Sequence, residues 1–261
     1  MCAQTAIDNS GAPPPAGPPP RARSQITPIQ WVGLAVLAIL FLNQAGVLGG
    51  AGGIQGYLTD VLPRLVALLL AITVHEFSHG LIATFFGDTT PRRAGRLTLN
   101  PLRHLDPVGT IMILIRAPIG WGRPMPINPS EMRPSNLGWA LSSLAGPVSN
   151  VIVAAVVFVL VSNLAFRIEG TALSFVRQLV QINVLLAVFN LLPVPPLDGF
   201  GVIFGLSPRP LKVALLPLLR YGPLILLAVL FLPMTQPYLD AFLGGGADLI
   251  YRFLGDLASA V

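Results

Sequence analysis

Long apolar segments recur along this chain of 261 residues, and they constrain its fold more than any other feature. A helix of about 20 predominantly apolar residues crosses the hydrocarbon core of a bilayer. We therefore expect an all-α polytopic membrane protein with about six transmembrane helices. The predicted spans are residues 31–48, 58–87, 137–166, 179–193 with a start near 172, 211–232 and, more weakly, 238–260.

The composition agrees with a membrane protein. Charged residues make up 10% of the chain and apolar residues 53%, whereas a typical soluble domain carries about 25% charged residues. Such a chain cannot cover a water-facing surface, which argues against a soluble globular enzyme. We interpret the net charge of +5 as a signal of membrane orientation, and we predict no nucleic-acid partner.

The basic residues indicate the orientation of the chain. If the N-terminus is cytosolic and the spans alternate, eleven of the 16 Lys and Arg residues fall in cytosolic segments. Positive charge is enriched in cytoplasmic loops. The sequence therefore predicts a multi-pass protein of the cell membrane with its N-terminus in the cytosol.

Three segments need separate interpretation. Residues 1–28 are rich in proline, which predicts a disordered cytosolic tail, and residues 29–261 are expected to form one integral-membrane domain with a catalytic core at about 58–205. The apolar run 31–48 also resembles a signal-peptide core, but its length favours a transmembrane helix. Residues 238–260 carry charges and glycines, so they either cross the membrane or lie on its surface as an amphipathic helix.

The segment 108–119 is apolar but too short and too interrupted to cross a bilayer as a helix. Its Val, Thr and Ile residues suit strands. We therefore expect a small membrane-associated β hairpin or sheet between the second and third spans.

The second span contains the motif His75-Glu76-Phe77-Ser78-His79. Residues i and i+4 share one face of a helix, so two imidazoles with this spacing can bind one tetrahedral zinc ion. A glutamate next to the first histidine can act as a general base on metal-bound water, as in zinc proteases with the H-E-x-x-H motif. The alternative is a buried polar cluster that joins helices, although two histidines and a glutamate at membrane depth are costly unless they bind a ligand.

A zinc site of this kind needs a third protein ligand. Cys2 is the only cysteine, so no thiolate cluster is available. Asp198 follows the fourth span, where three prolines in four residues prevent a regular helix and can turn the chain towards an interior site. We therefore favour Asp198, whose alternative role is a helix-terminating Asp-Gly turn. The remaining candidates lie in polar loops. They are His104, for which a solvated side chain is the favoured interpretation, and Asp88 and Glu131.

Four stretches of the sequence resemble the site-2 protease family of intramembrane zinc metalloproteases, in the order found in that family. They are residues 75–80, residues 96–110, residues 124–129 with 144–150, and residues 190–199. The resemblance implies one zinc ion per chain held by His75, His79 and Asp198, with Glu76 as the catalytic glutamate. It also implies that Asn190 lies near the active site and holds the substrate or the developing oxyanion. Asn150 matches a family position too, where helix packing is at least as good an interpretation.

The resemblance implies further features. The family has short strands and a membrane-dipping hairpin in the region of residues 108–127, where an extended edge could pair with an unwound substrate; the alternative is that this segment only packs against the helices. Many members have Asp-Gly-Gly where this chain has Asp198-Gly199-Phe200, which puts the local loop geometry in question. Without an additional peptide-binding or nucleotide-sensing domain, the chain is expected to be a minimal member.

The predicted function is that of an intramembrane zinc endopeptidase that hydrolyses a bond in or near a transmembrane segment of a membrane-anchored protein. Its active site is expected in the cytosolic half of the lipid bilayer. The alternatives are a zinc transporter, which would not require Glu76 beside the first ligand, and an inactive membrane scaffold, which would not require an intact ligand set. The sequence identifies neither the substrate nor the oligomeric state.

Overall fold

The computed structural model of this chain describes residues 53–107, 109, 110, 121–163 and 169–260, and these residues are mostly helical. The α-helices that lie wholly within them are α1 (Gly53–Phe85), α2 (Thr90–Arg93), α3 (Ser135–Asn163), α4 (Gly170–Asn190), α5 (Asp198–Leu206), α6 (Arg209–Phe231) and α7 (Gln236–Ala260). Helix α3 packs against α1, α4, α5 and α7. It is therefore the element around which the others assemble.

Four helices in the described part of the chain are long and apolar enough to cross a membrane. They contain the segments Val61–Phe85, Ser135–Ser162, Gly170–Asn190 and Arg209–Phe231. These segments correspond to the predicted spans 58–87, 137–166, 179–193 and 211–232. The prediction of a mainly helical protein with several helices able to span a membrane is confirmed for this region.

Two of the six predicted spans are not confirmed. Residues 31–48, and the predicted tail at 1–28, lie outside the described residues. Residues 238–260 do form a helix, α7, but α7 is not among the four helices that are apolar enough to span. Asp240, Asp248, Arg252 and Asp256 interrupt its apolar surface. Whether α7 crosses the membrane or lies at its surface stays a prediction.

The β hairpin predicted between the second and third spans is also not confirmed. Residues 108 and 111–119, which make up most of it, lie outside the described residues. The described residues contain no strand, and an isolated antiparallel bridge between Leu105 and Gly122 is the pairing nearest to the prediction. Pro107, Gly109 and Thr110 are helical instead, and the Asp106 side chain accepts a hydrogen bond from the N–H of Gly109 at 2.9 Å.

The two faces of α3 explain how it can be both the centre of the fold and a membrane span. One face carries large apolar side chains at intervals of four residues, which remain exposed: Val148, Ile152, Val156 and Leu160. The opposite face carries small or polar residues with the same spacing, which are buried: Ser142, Gly146, Asn150 and Ala154. Small and polar residues at helix interfaces and apolar residues towards lipid are typical of membrane helices. The buried face of α3 therefore points towards the rest of the protein.

The chain breaks sharply after α4, and this break determines where α5 begins. Helix α4 ends at Asn190, and the prolines at 193, 195 and 196 prevent its continuation. Helix α5 then starts at Asp198 and packs against α3. The predicted interruption is confirmed, and it brings the first turn of α5 to the buried face of α3.

A substitution at Gly205 tests whether close packing against α3 positions α5. A Cβ atom at Gly205 would lie 2.7 Å from the Ala140 amide nitrogen and 2.8 Å from the Ala140 Cβ. Gly205→Ala is therefore expected to push α5 away from α3 and to destabilise the protein by about 1–3 kcal/mol, the usual range for overpacking. The measurement is the thermal unfolding midpoint in detergent. Gly255→Ala in α7 is the control, since its added Cβ would meet no atom within 4 Å; equal midpoints for the two variants would contradict the prediction.

Candidate metal centre

Three of the side chains singled out in the sequence meet in the structure. His75 and His79 lie one turn apart on α1, and Asp198 lies in the first turn of α5. The Asp198 Oδ2 atom is 3.1 Å from the Nε2 atom of His75 and 3.3 Å from the Nε2 atom of His79. One ligand atom from each residue lies within 4.8 Å of the other two, which is close enough for all three to bind one ion.

The environment of Asp198 fits a cation better than a hydrogen-bond network. Its Oδ2 atom is buried and accepts no hydrogen bond from the described residues. A buried carboxylate oxygen without a partner is costly, and a divalent cation between the three groups would remove that cost. Two imidazole nitrogens and one carboxylate oxygen are also a donor set found in catalytic zinc sites, which keep a further position for water or substrate.

The ring of His79 is oriented by a backbone carbonyl of α3. Its Nδ1 atom lies 2.6 Å from the Ser142 carbonyl oxygen, which can only accept a hydrogen bond. Nδ1 therefore carries the proton, and in the neutral ring Nε2 presents its lone pair towards Asp198. This is the tautomer that binds a metal through Nε2.

The ring of His75 is oriented in the same way by a side chain of α3. Its Nδ1 atom lies 2.6 Å from the Asn150 Oδ1 atom. The Asn150 Nδ2 group donates to the Ala71 carbonyl at 3.2 Å and to the Asn183 Oδ1 atom at 2.8 Å, which fixes the direction of the amide. The Nε2 atom of His75 is therefore also free to bind a metal, and the buried side chain of Asn150 orients a histidine rather than only packing helices.

Gly146 leaves the space that the two imidazoles occupy. A Cβ atom at this position would lie 2.4 Å from the His79 Nε2 atom and 2.6 Å from the His75 Cε1 atom. The absence of a side chain on α3 is thus a requirement of the site and not only of helix packing.

Glu76 is held beside the histidines by the loop that precedes α3. Its Oε2 atom accepts a hydrogen bond of 2.5 Å from the backbone N–H of Met125. The side chain is partly buried. The carboxylate adjacent to the histidine pair is therefore fixed in the resting protein, with one oxygen engaged by the backbone.

Among the described residues, Asn190 makes no hydrogen bond to His75, Glu76, His79 or Asp198. It lies at the C-terminal end of α4, and its Nδ2 group donates to the Leu186 carbonyl of the same helix at 2.9 Å. Its role in the reaction stays a prediction.

The alternative third ligands have other partners. Buried Asp88 accepts hydrogen bonds from the N–H groups of Thr90 and Asn128. Glu131 pairs with Arg93 and accepts hydrogen bonds from Thr89, and these contacts lower the pKa of its carboxyl to about 2. Asp88 and Glu131 thus join the segment that follows α1 to the loop that precedes α3.

The expectation that His104 is solvated is wrong. It is 1% exposed, and its Nε2 atom lies 2.7 Å from the Thr98 carbonyl oxygen. The loop folds over the ring, which no local pattern in the sequence indicates.

Three groups at the site were not predicted: the Ser142 carbonyl, Asn183 and the Met125 N–H. Asn183 could have been found as an uncharged polar residue within an apolar span, a type of residue that commonly hydrogen-bonds between helices. The other two are backbone groups, and their residue types give no signal.

Comparisons with known proteins find curated relatives that are named as zinc metalloproteases. The chain is 39% identical over 204 residues to "Putative zinc metalloprotease YwhC" of Bacillus subtilis, an alignment that covers 75% of this chain and 93% of that protein. It is 31% identical over 171 residues to "Putative zinc metalloprotease Rip2" of Mycolicibacterium smegmatis (63% of this chain, 65% of that protein). The Rip2 protein of Mycobacterium tuberculosis is 32% identical over 171 residues, with coverages of 64% and 65%. No family model and no solved structure matches the chain.

The chain belongs to the site-2 protease family of intramembrane zinc metalloproteases. It is accordingly a metalloendopeptidase whose general activity is intramembrane proteolysis.

Substitution of Gly146 tests the geometry of the centre. Gly146→Ala is expected to displace both imidazoles, because its Cβ would overlap them, and to lower the zinc content of the purified protein. The measurement is metal analysis after dialysis against a weak chelator. Gly245→Ala is the control, since its Cβ would meet nothing within 4 Å. Full zinc retention by Gly146→Ala would show that the ion is not bound between these rings.

Proposed function

We propose that this protein is a zinc endopeptidase that hydrolyses a peptide bond in or near a transmembrane segment of a membrane-anchored protein. In this proposal, His75, His79 and Asp198 hold one zinc ion, and Glu76 is the general base. The observation that supports it most is the buried Asp198 Oδ2 atom, which accepts no hydrogen bond from the described residues and lies 3.1 and 3.3 Å from the Nε2 atoms of His75 and His79.

The metal and the protein contribute different parts of the chemistry. When zinc is bound, it supplies Lewis acidity towards the scissile carbonyl and towards water. The Asn150 and Ser142 oxygens keep the two rings in the metal-binding tautomer throughout the reaction.

Glu76 moves the proton in the proposed reaction. Its carboxylate accepts a proton from the attacking water, so that the oxygen bonds to the scissile carbonyl carbon. The same carboxyl then delivers the proton to the amine nitrogen as the carbon–nitrogen bond breaks, and Glu76 returns to its ionised form. The Met125 N–H holds one carboxylate oxygen before substrate binds, which restricts the orientation of the base.

Asn190 has a supporting role in the proposal. It lies eight residues before Asp198, at the end of α4. If its amide rotates away from the Leu186 carbonyl, it can donate a hydrogen bond to the substrate or to the developing oxyanion. Loss of such a donor costs about 10²–10³ in rate in other hydrolases.

The proposal includes the location of the site. His79 and His75 are six and ten residues before the end of α1 at Phe85, which corresponds to about 9 and 15 Å along the helix. With a cytosolic N-terminus, as the distribution of basic residues predicts, this depth corresponds to the cytosolic half of the bilayer. Water would then reach the site from the cytosol.

Glu76→Gln separates the base from the metal ligands. The variant is expected to retain zinc, because its ligands are unchanged, and to lose about 10²–10⁴-fold in cleavage rate, the usual contribution of a general base. The assay incubates the purified protein with a single-span peptide, with and without chelator, and follows cleavage by mass spectrometry. Normal cleavage by Glu76→Gln would contradict the role of Glu76 as the general base. Cleavage by the wild-type protein that is insensitive to the chelator would contradict the zinc mechanism.

Asp198→Ala tests the third ligand. This variant is expected to lose zinc, because only two imidazoles remain to hold the ion. Zinc content after gel filtration is the measurement. Asp240→Ala is the control, since Asp240 is exposed on α7. If Asp198→Ala keeps as much zinc as the control, Asp198 is not a ligand.

A further inference from the structure

A segment of the loop before α3, residues 123–128, contacts Glu76 and is hydrogen-bonded to other parts of the protein at both ends. We name it the strap. At one end the Arg123 N–H donates to the His104 carbonyl at 2.8 Å. At the other end the Asn128 N–H donates to the Asp88 Oδ2 atom at 2.7 Å. Because His104 and Asp88 are both buried, both ends of the strap are hydrogen-bonded to buried residues.

The middle of the strap contacts the candidate base. Proline has no N–H, so between Pro124 and Pro126 only Met125 can donate a backbone hydrogen bond. That N–H goes to the Glu76 Oε2 atom. The Met125 side chain packs near Gly80, where an added Cβ would lie 3.1 Å from its Sδ atom. Met125 therefore touches α1 at Glu76 and one turn further along the helix.

A buried arginine holds the strap next to this contact. Arg96 is 5% exposed, and its Nη2 group donates to the Arg123 carbonyl at 2.6 Å. Burial lowers the pKa of the Arg96 guanidinium below its usual range, while the nearby Glu76 carboxylate acts in the opposite direction. A buried guanidinium is costly unless it is paired or hydrogen-bonded, and among the described residues the Arg96 side chain donates its hydrogen bond to the strap.

We propose that Arg96 is a positioning residue for the reaction: by holding the Arg123 carbonyl, it keeps the Met125 N–H against the Glu76 carboxylate and so fixes the base. Arg96 does not itself touch the reacting atoms. The inference rests on the proposed function for its catalytic consequence, but the mechanical link from Arg96 through the strap to Glu76 is a property of the resting protein.

The link can be measured without activity. The chain has five methionines, so ¹⁵N-methionine labelling of the full-length protein in detergent gives a simple amide spectrum. Met125→Leu keeps the backbone N–H and identifies the Met125 signal by its loss. In the wild-type background, Glu76→Gln is expected to move this signal upfield, because a neutral amide accepts a weaker hydrogen bond than a carboxylate.

The deciding comparison repeats Glu76→Gln in two arginine variants. In Arg96→Met the Met125 signal should hardly respond to Glu76→Gln, because the hydrogen bond is already lost. In Arg92→Met, which removes an exposed arginine of the nearby helix α2, the full response should remain. An undiminished response in Arg96→Met overturns the proposal, since a purely structural role of Arg96 would leave the Met125–Glu76 contact intact. If Arg96→Met does not fold, Arg96→Gln is used with the same two outcomes, because its shorter side chain does not reach the Arg123 carbonyl.

The kinetic arm separates this inference from the proposed function. Arg96→Met is expected to lower kcat about 10–100-fold with zinc content unchanged, the range seen when groups that orient active-site side chains are removed. If Glu76→Gln cleaves normally, the proposed function fails, while the amide response still tests the link. If Arg96→Met has a normal kcat but Glu76→Gln is inactive, the proposed function stands and the positioning role is overturned.

Discussion

The orientation of both imidazole rings at the candidate metal centre depends on their hydrogen bonds to α3. An imidazole has two nitrogens, and the partner of one decides what the other can do. In this protein α3 supplies an oxygen to each Nδ1 atom, from the Ser142 backbone and from the Asn150 side chain. Both Nε2 atoms therefore face Asp198. Without these two contacts, the spacing of the histidines on α1 would bring the rings together but would not aim them.

Asp198 reaches the site because the chain stops being helical after Asn190. A continuous helix after Asn190 would carry residue 198 about 12 Å along the axis of α4. The prolines end α4, and α5 starts a new helix whose glycines allow close contact with α3. The same helix, α3, thus orients the two histidines and receives the helix that carries the aspartate. This shared support explains why its buried face consists of small and polar residues.

Much of this arrangement could be predicted from the sequence, and the remainder could not for physical reasons. The His75–His79 spacing is a local property of a helix, the prolines before Asp198 are a local signal, and apolar length alone identified four spans. The burial of His104 depends on how a loop folds over it, which involves residues far apart in the chain. Every residue has a backbone carbonyl, and every residue except proline has a backbone N–H. The sequence therefore gives no signal that the Ser142 carbonyl and the Met125 N–H contact the site. The predicted hairpin stays a prediction because most of its residues lie outside the described ones; in the adjoining described part, the Asp106 side chain accepts a hydrogen bond from the Gly109 N–H, a local turn contact that competes with strand pairing.

The prolines on both sides of Met125 have a consequence for any extended polypeptide that approaches the strap. A β ladder needs alternating donors and acceptors along the edge that receives a new strand. Residues 124–126 offer a single N–H, and Glu76 already uses it. This stretch is therefore a poor template for backbone pairing, and an incoming chain that adds to the loop by β-augmentation must register on neighbouring residues instead.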